Sequence, residues 1–363
     1  MSLDEEITDI EDEIRKTSYN KATSHHIGRL KAKLARLKDD MIKRASSKGG
    51  GEGYSVRKSG DATVVLVGYP SVGKSTLLNR LTGAQSKIGA YEFTTLDVVP
   101  GTMFHNDATI QILDVPGLVR GAASGRGRGK EVISVVRNAD LIVFMTDVFQ
   151  TGHRDVLEKE LYDAGIRVNT RRPDVKVMRK FRGGVSINST VDTELDRDTI
   201  LSILKEYKMH NADVLIRAKV NIDEFIDALM GNRKYINAVT VINKADLVDE
   251  EFKTEIRANF PDAMLISADM DKNLDPLKDL IFDYLKFIRL YMKPQGEPAD
   301  MEEPMIIQEG VNVGDICDKL HRDFRKRFRY AQVWGPSAKH AGQRAGLEHI
   351  LMDGDILTIV TQK

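Results

Sequence analysis

The chain has 363 residues, with 54 Lys and Arg against 54 Asp and Glu and a formal net charge of zero. That length suits two or three domains, and the balance fits an ordinary soluble protein while hiding strong local asymmetry. No apolar run nears the roughly 18 residues of a spanning helix, the acidic start excludes a signal peptide, and the lone Cys317 excludes an internal disulfide. A single thiol fits a reducing, cytoplasmic setting, and with no base motif beside it Cys317 reads as a buried side chain.

Residues 1–60 read as a separate element. Ile7, Ile10 and Ile14, then Ile27, Leu30, Leu34, Leu37 and Met41, recur at spacings of three and four, which predicts two helices packed as a hairpin. The first is acidic (Asp4, Glu5, Glu6, Asp9, Glu11), and the second is basic (Arg29, Lys31, Lys33, Arg36, Lys38, Lys43, Arg44). Two readings stay open: the charges pair between the helices, or the basic side is a face for RNA or a ribosome. The glycine-rich stretch at 48–60 reads as a linker.

A β-branched strand at 63–67 then runs into Gly68-Tyr-Pro-Ser71-Val72-Gly73-Lys74-Ser75, a phosphate-binding loop, with a helix opening at Lys74 and Thr76. Glycines let the backbone wrap a phosphate chain with its N–H groups inward, and the helix start adds its positive end. Lys74 is expected on the β- and γ-phosphates and the Ser75 hydroxyl on Mg²⁺. Tyr91-Glu-Phe-Thr94-Thr95 lies where a mobile segment would close over the metal. Of its two threonines, Thr95 is the expected ligand by its distance from Ser75. After a second strand at 109–113, Asp114-Val-Pro-Gly117 sets a carboxylate to hold Mg²⁺ through water and an N–H to approach the γ-phosphate.

Asn243-Lys244-Ala245-Asp246 ends a third strand at 239–242. The Asp246 carboxylate matches the two adjacent donors of guanine and would stand unpaired against adenine, which sets aside an ATP-using phosphotransferase. Lys244 is expected along the base plane, Asn243 as a brace between loops, and Ser267-Ala268 as a source of backbone N–H for the guanine oxygen. Together these motifs predict a GTPase in which water attacks the γ-phosphate.

The stretch 148–231 is too long for an ordinary connection, so an inserted α+β subdomain is expected there. It shows strand–turn–strand at 181–187 and helices at 198–207 and 222–230. From about Leu290 the composition shifts again. Strands at 305–308, 331–334 and 355–360 and a helix at 313–321 form a small β-grasp pattern. Lys319, Arg322, Arg325, Lys326, Arg327 and Arg329 sit there against Asp323, with Phe324, Phe328 and Tyr330 between them. The aromatics read as core rather than base-stacking platforms, and the cations as either an RNA contact or a solvated face.

Gly68–Thr76, Phe93-Thr94-Thr95-Leu96 and the run from Asp114 to Gly129 resemble the Obg superfamily, and within it the developmentally regulated GTP-binding (DRG) proteins. So do 20–34, Gly231-Asn-Arg-Lys-Tyr235 and Ala331-Gln-Val-Trp-Gly335. The resemblance implies an α/β fold: a Ras-like P-loop GTPase domain at 61–160 and 232–290, with an N-terminal helical hairpin at 1–60. It further implies an inserted α+β subdomain at 161–231, of a kind found in a small-subunit ribosomal protein, and a C-terminal β-grasp (TGS) domain at 291–363. It implies Mg²⁺ as cofactor, GTP and GDP as ligands, and action on ribosomes or translation-associated RNA; a dedicated regulatory protein binds some members. Leu118 stands where many small GTPases carry a water-positioning glutamine, so slow intrinsic hydrolysis is expected. Arg120, Arg126 and Arg128 follow it closely. Some relatives recruit K⁺ through an asparagine at the position of Ser71, which leaves K⁺ an open cofactor here. The rival reading is a nucleotide-gated RNA or ribosome scaffold with incidental hydrolysis.

Overall fold

The computed structural model describes residues 3–47, 59–82, 98–115, 129–193 and 195–362. The chain opens with α1 (Leu3–Lys16) and α2 (Ser24–Ser47), then β1 (Ala62–Val67), α3 (Lys74–Thr82), β2 (Val99–His105) and β3 (Ala108–Asp114). Next come α4 (Gly129–Arg137), β4 (Leu141–Asp147), α5 (His153–Asp163), β5 (Ile166–Val168), β6 (Val175–Arg179) and β7 (Val185–Ser189). These lead to α6 (Arg197–Glu206), β8 (Ala212–Ile216), α7 (Ile222–Met230), β9 (Lys234–Asn243), α8 (Glu250–Asn259), β10 (Ala263–Leu265) and α9 (Leu274–Leu285). The last stretch holds β11 (Phe287–Met292), β12 (Met305–Gln308), α10 (Val313–Leu320), α11 (Arg322–Lys326), β13 (Phe328–Trp334), β14 (Gln343–Ala345) and β15 (Asp355–Thr361). None of the described helices is long and apolar enough to cross a membrane.

These elements divide into two compact units. In one, a sheet of order β10-β9-β4-β1-β3-β2 is parallel throughout except for β2, which runs antiparallel to β3. β1 and β4 are buried along their whole length, as apolar runs covered on both faces must be. Leu66, Ile110, Leu141 and Val241 pack with Leu77 of α3 and Leu277 and Ile281 of α9. Parallel pairing puts the carboxyl ends of β1, β3, β4 and β9 along one edge, the place where open α/β sheets bind ligands. The phosphate loop, Asp114, Asp147 and Asn243 all lie at those ends.

The same unit holds a five-stranded sheet of order β12-β11-β15-β13-β14. Helix α10 buries Val313, Ile316 and Cys317 against Leu290, Val333 and Leu357. Cys317 is wholly enclosed and burial pushes its thiol pKa up, which fits the reading of a buried side chain. The composition change at Leu290 falls inside β11, a strand of this sheet. Phe324 and Phe328 pack on the core, as their apolar bodies suggest. Tyr330 is flanked by the Arg344 and Arg329 guanidinium groups at 4.6 and 5.9 Å from its ring.

The other unit joins the helical hairpin to a three-stranded sheet. Its order is β6-β8-β7, with β6 antiparallel and β7 parallel to β8. The strand–turn–strand expected at 181–187 is therefore corrected: the turn occupies 180–184, β7 starts at Val185, and β8 lies between the two flanking strands. A parallel pair needs a crossover, which α6 supplies. Ile27 and Ala32 of α2 pack with Ile203 of α6, Phe225 of α7 and Val214 of β8. Ile10, Leu30 and Leu37 close the seam between α1 and α2.

Four cations of α2 are paired inside this unit. Lys33 meets Glu6 and Lys38 meets Glu11, each at 2.7 Å, while Lys31 reaches Asp223 at 2.6 Å and Arg36 reaches Glu206 at 2.9 Å. Pairing between the two helices holds for Lys33 and Lys38, whereas Lys31 and Arg36 pair instead with α7 and α6. The Gly231–Tyr235 motif is also accounted for structurally. Gly231 caps α7 at φ 66°, the Asn232 side-chain amide donates to Asp39 at 2.7 Å, and the Asn232 backbone carbonyl accepts from Arg137 at 2.9 Å. Arg233 joins Arg167 on the buried Asp227 carboxylate, at 2.8 and 2.5 Å.

Candidate nucleotide site

The loop after β1 can follow its path only with glycine at two positions. A Cβ on Gly68 would lie 2.4 Å from the Met145 carbonyl oxygen, and one on Gly73 would lie 2.4 Å from Asn243 Nδ2. Gly73 also has φ +98°, a region that favours glycine. Ser71, with φ 65°, is exposed at the loop's tip, and Val72 is buried beneath it. Lys74 is buried too, and its Nζ donates to the carbonyls of Gly68 and Tyr69, both at 3.1 Å. Two of its three N–H groups anchor the loop, which leaves one to give. Burial pushes the Lys74 pKa down, partly countered by the Asp114 charge.

Ser75 and Thr76 sit in the first turn of α3, which carries no acidic side chain to offset the helix's positive end. The Ser75 hydroxyl donates to Asp114 Oδ2 at 2.5 Å. Burial pushes the Asp114 carboxyl above its ordinary range, with the Ser75 bond and the Lys74 charge pulling the other way. A desolvated carboxylate beside a hydroxyl is a pair of hard oxygen donors. Mg²⁺ takes one or two such protein oxygens and fills the rest of its octahedron with phosphate and water, so these residues fit it. Thr94, Thr95, Gly117 and Leu118 lie outside the described residues.

At the other end of the site, Asn243 closes β9 and ties two loops together. Its Nδ2 donates to the Val72 carbonyl and its Oδ1 accepts from the Ala268 N–H, both at 3.0 Å. Lys244 follows in the left-handed region at φ 64°, its ammonium 3.0 Å from the Asp147 carboxylate. Asp246 is half-buried in the 3₁₀ turn Ala245–Leu247, and its carboxylate has no partner among the described residues.

The Ser267 and Ala268 N–H groups both have partners within the chain. The Ser267 N–H donates to Lys272 O at 3.2 Å, and the Ala268 N–H is the one that holds Asn243. Neither is free, because the strand end folds back into a tight bridge between Ser267 and Lys272. The Ser267 hydroxyl supports that bend by accepting from the Met270 N–H at 3.2 Å. Asp147 escaped the sequence reading. It ends the apolar strand β4 just as Asp114 ends β3, and that shared position was the available signal.

A family model described as "50S ribosome-binding GTPase" matches residues 63–180. The C-terminal region of that domain matches 182–287, and a TGS domain model matches 288–361. A GTP-binding protein of Methanocaldococcus jannaschii is 54% identical over 100% of this chain and 94% of its own length. A developmentally-regulated GTP-binding protein 1 homolog of Dictyostelium discoideum is 44% identical, covering 99% of this chain and 100% of its own. Developmentally-regulated GTP-binding protein 1 of Xenopus laevis is 44% identical over 98% of each. With likeness of that depth along its whole length, joined to a phosphate loop and a guanine-type motif at one sheet edge, the chain belongs to the developmentally regulated GTP-binding protein family and is a GTPase.

Proposed function

We propose that the chain is a Mg²⁺-dependent GTP switch acting on ribosomes or translation-associated RNA. The observation that carries the switch is the short Ser75–Asp114 bond beside Lys74. It joins the start of α3 to the segment that leads toward Gly117, so both would answer to one phosphate group. In this reading Lys74 and the loop N–H groups from Ser71 to Thr76 grip the β- and γ-phosphates, and Asp246 selects guanine. Asn243 keeps the phosphate and base ends in register, while Lys244, held by Asp147, lies along the base. Ser75, Asp114 and Thr95 would hold Mg²⁺, which, when bound, offsets negative charge building on the phosphate oxygens.

Water attacks the γ-phosphorus, and the bond to the β-phosphate oxygen breaks. Loss of the phosphate frees Thr95 and the Gly117 N–H, and the segments around them relax. With Leu118 unable to orient the water by a hydrogen bond, intrinsic turnover is slow and a partner group raises it. Ser71 stands where K⁺-using relatives carry asparagine, and this reading invokes no K⁺.

Support for the ribosomal part comes from the matched GTPase model, whose description names 50S ribosome binding. The exposed Lys326, Arg327 and Arg329 at the start of β13 add to it, whereas Lys31, Lys33, Arg36 and Lys38 of α2 do not, being paired. Single-turnover GTP hydrolysis with and without Mg²⁺ and ribosomes tests the reading. Acceleration by ribosomes supports the switch. GTP-dependent ribosome binding without acceleration would replace it with the scaffold, which Leu118 favours.

A further inference from the structure

Between 171 and 182 the chain carries six cations (Arg171, Arg172, Lys176, Arg179, Lys180, Arg182) against one acid, Asp174, in a protein whose overall charge is zero. Five of those six are exposed. Phe181, in the turn between β6 and β7, is fully exposed, the most solvent-facing large apolar side chain described. It is not a loose end. The Lys180 N–H donates to the Asn211 carbonyl at 3.0 Å, and the Gly184 N–H donates to Asn211 Oδ1 at 2.8 Å. Gly183 and Gly184, at φ 104° and 70° with nothing near their Cβ positions, finish a bare, fixed turn.

The Asn211 clamp brings a second loop to the same end of the sheet, with Lys208 and His210 exposed on it. Neighbouring acids are already paired: Asp213 with Lys180 at 2.6 Å, and Glu206 with Arg36 at 2.9 Å. The result is one flat ring with Arg179, Arg182 and Lys208 exposed on the two loops that meet there. Leaving an aromatic side chain wholly in water gains nothing for folding, since its burial elsewhere would be favourable.

We propose that this end of the three-stranded sheet is a binding surface for single-stranded RNA. One base stacks on the Phe181 ring, while Arg179, Arg182 and Lys208 hold the phosphates on either side. An aromatic platform among cations suits an unpaired strand, whose bases offer a π-face and whose backbone offers regularly spaced charge. An acidic protein segment would match the charge but has no flat group to place on the ring. The proposal sharpens the RNA part of the preceding reading and rests on it.

The test is fluorescence anisotropy of the full chain with a labelled mixed-sequence 12-nucleotide RNA across a salt series, beside ribosome co-sedimentation. Phe181→Ala is expected to weaken RNA binding about tenfold with the salt slope unchanged. Arg179→Gln with Arg182→Gln is expected to lower the slope by about 1.4, two single-strand phosphate contacts. Basal GTP hydrolysis should not move in either variant. Unchanged RNA affinity in both, with the parent chain binding the oligonucleotide, would overturn this surface and leave the ribosomal reading standing. Equal competition by poly-glutamate would also overturn it. A parent chain that binds neither the RNA nor ribosomes would sink both.

Discussion

The two ends of the nucleotide site are held in different ways. At the phosphate end the chemical groups bond to one another: Ser75 to Asp114, and Lys74 to the carbonyls of its own loop. At the base end they are braced from outside, by Asn243 spanning Val72 and Ala268 and by Asp147 holding Lys244. One unpaired carboxylate, Asp246, faces no described competitor. The phosphate end must exchange partners to grip a ligand, whereas the base end is a frame with one polar group left to satisfy. Affinity for the triphosphate and selectivity for guanine should therefore come apart under mutation.

The largest expected effect is at the base end. Asp246→Asn removes two charge-assisted hydrogen bonds, about 2 kcal/mol each, so GTP affinity should fall about a thousandfold while xanthosine triphosphate gains. Calorimetric titration reads this directly, and undiminished guanine preference would break the comparison. Lys74→Ala comes next, with roughly a hundredfold loss for GTP and GDP, on the scale of removing one partner of a buried charged contact. The GTP-to-ATP affinity ratio should stay as it was; a collapsed ratio would mean the ends are not separable.

Asn243→Ala crosses the divide. It leaves the Val72 carbonyl and the Ala268 N–H unpaired, so unfolding stability in urea should drop by about 2 kcal/mol and both affinity and selectivity should suffer. Stability within error of the parent would show that the brace is dispensable. Ser75→Ala should be mildest, about tenfold in GTP affinity, one hydrogen bond to a charged group. Chelating Mg²⁺ should then add little further loss. A full additional loss on chelation would place the metal elsewhere.

The phosphate loop, Asp114 and the Asn243–Asp246 motif could be found in the sequence because each needs particular residue types at fixed spacing after an apolar strand. Gly68 and Gly73 are readable for the same reason, although which atoms they avoid is not. Charge was a poorer guide. The cations of α2 and those of 171–182 look alike as sequence, yet Lys31, Lys33, Arg36 and Lys38 of α2 are neutralised by Asp223, Glu6, Glu206 and Glu11. All four acids lie on other elements; the acidic first helix pointed to Glu6 and Glu11, but no local pattern names Glu206 or Asp223. The use of the Ser267 and Ala268 N–H groups was hidden likewise, since it depends on a bend that returns Lys272 to Ser267.

Sequence by itself determined the chemistry of the nucleotide site and the order of its strands' motifs, because glycine, lysine and carboxylate act there through covalent identity and local backbone freedom. Only the tertiary structure decided which charges survive unpaired, where β8 inserts, and that Phe181 is held out into solvent. Those outcomes depend on contacts between segments far apart in the chain, and a neutralising partner or a clamping asparagine leaves no trace beside the residue it controls.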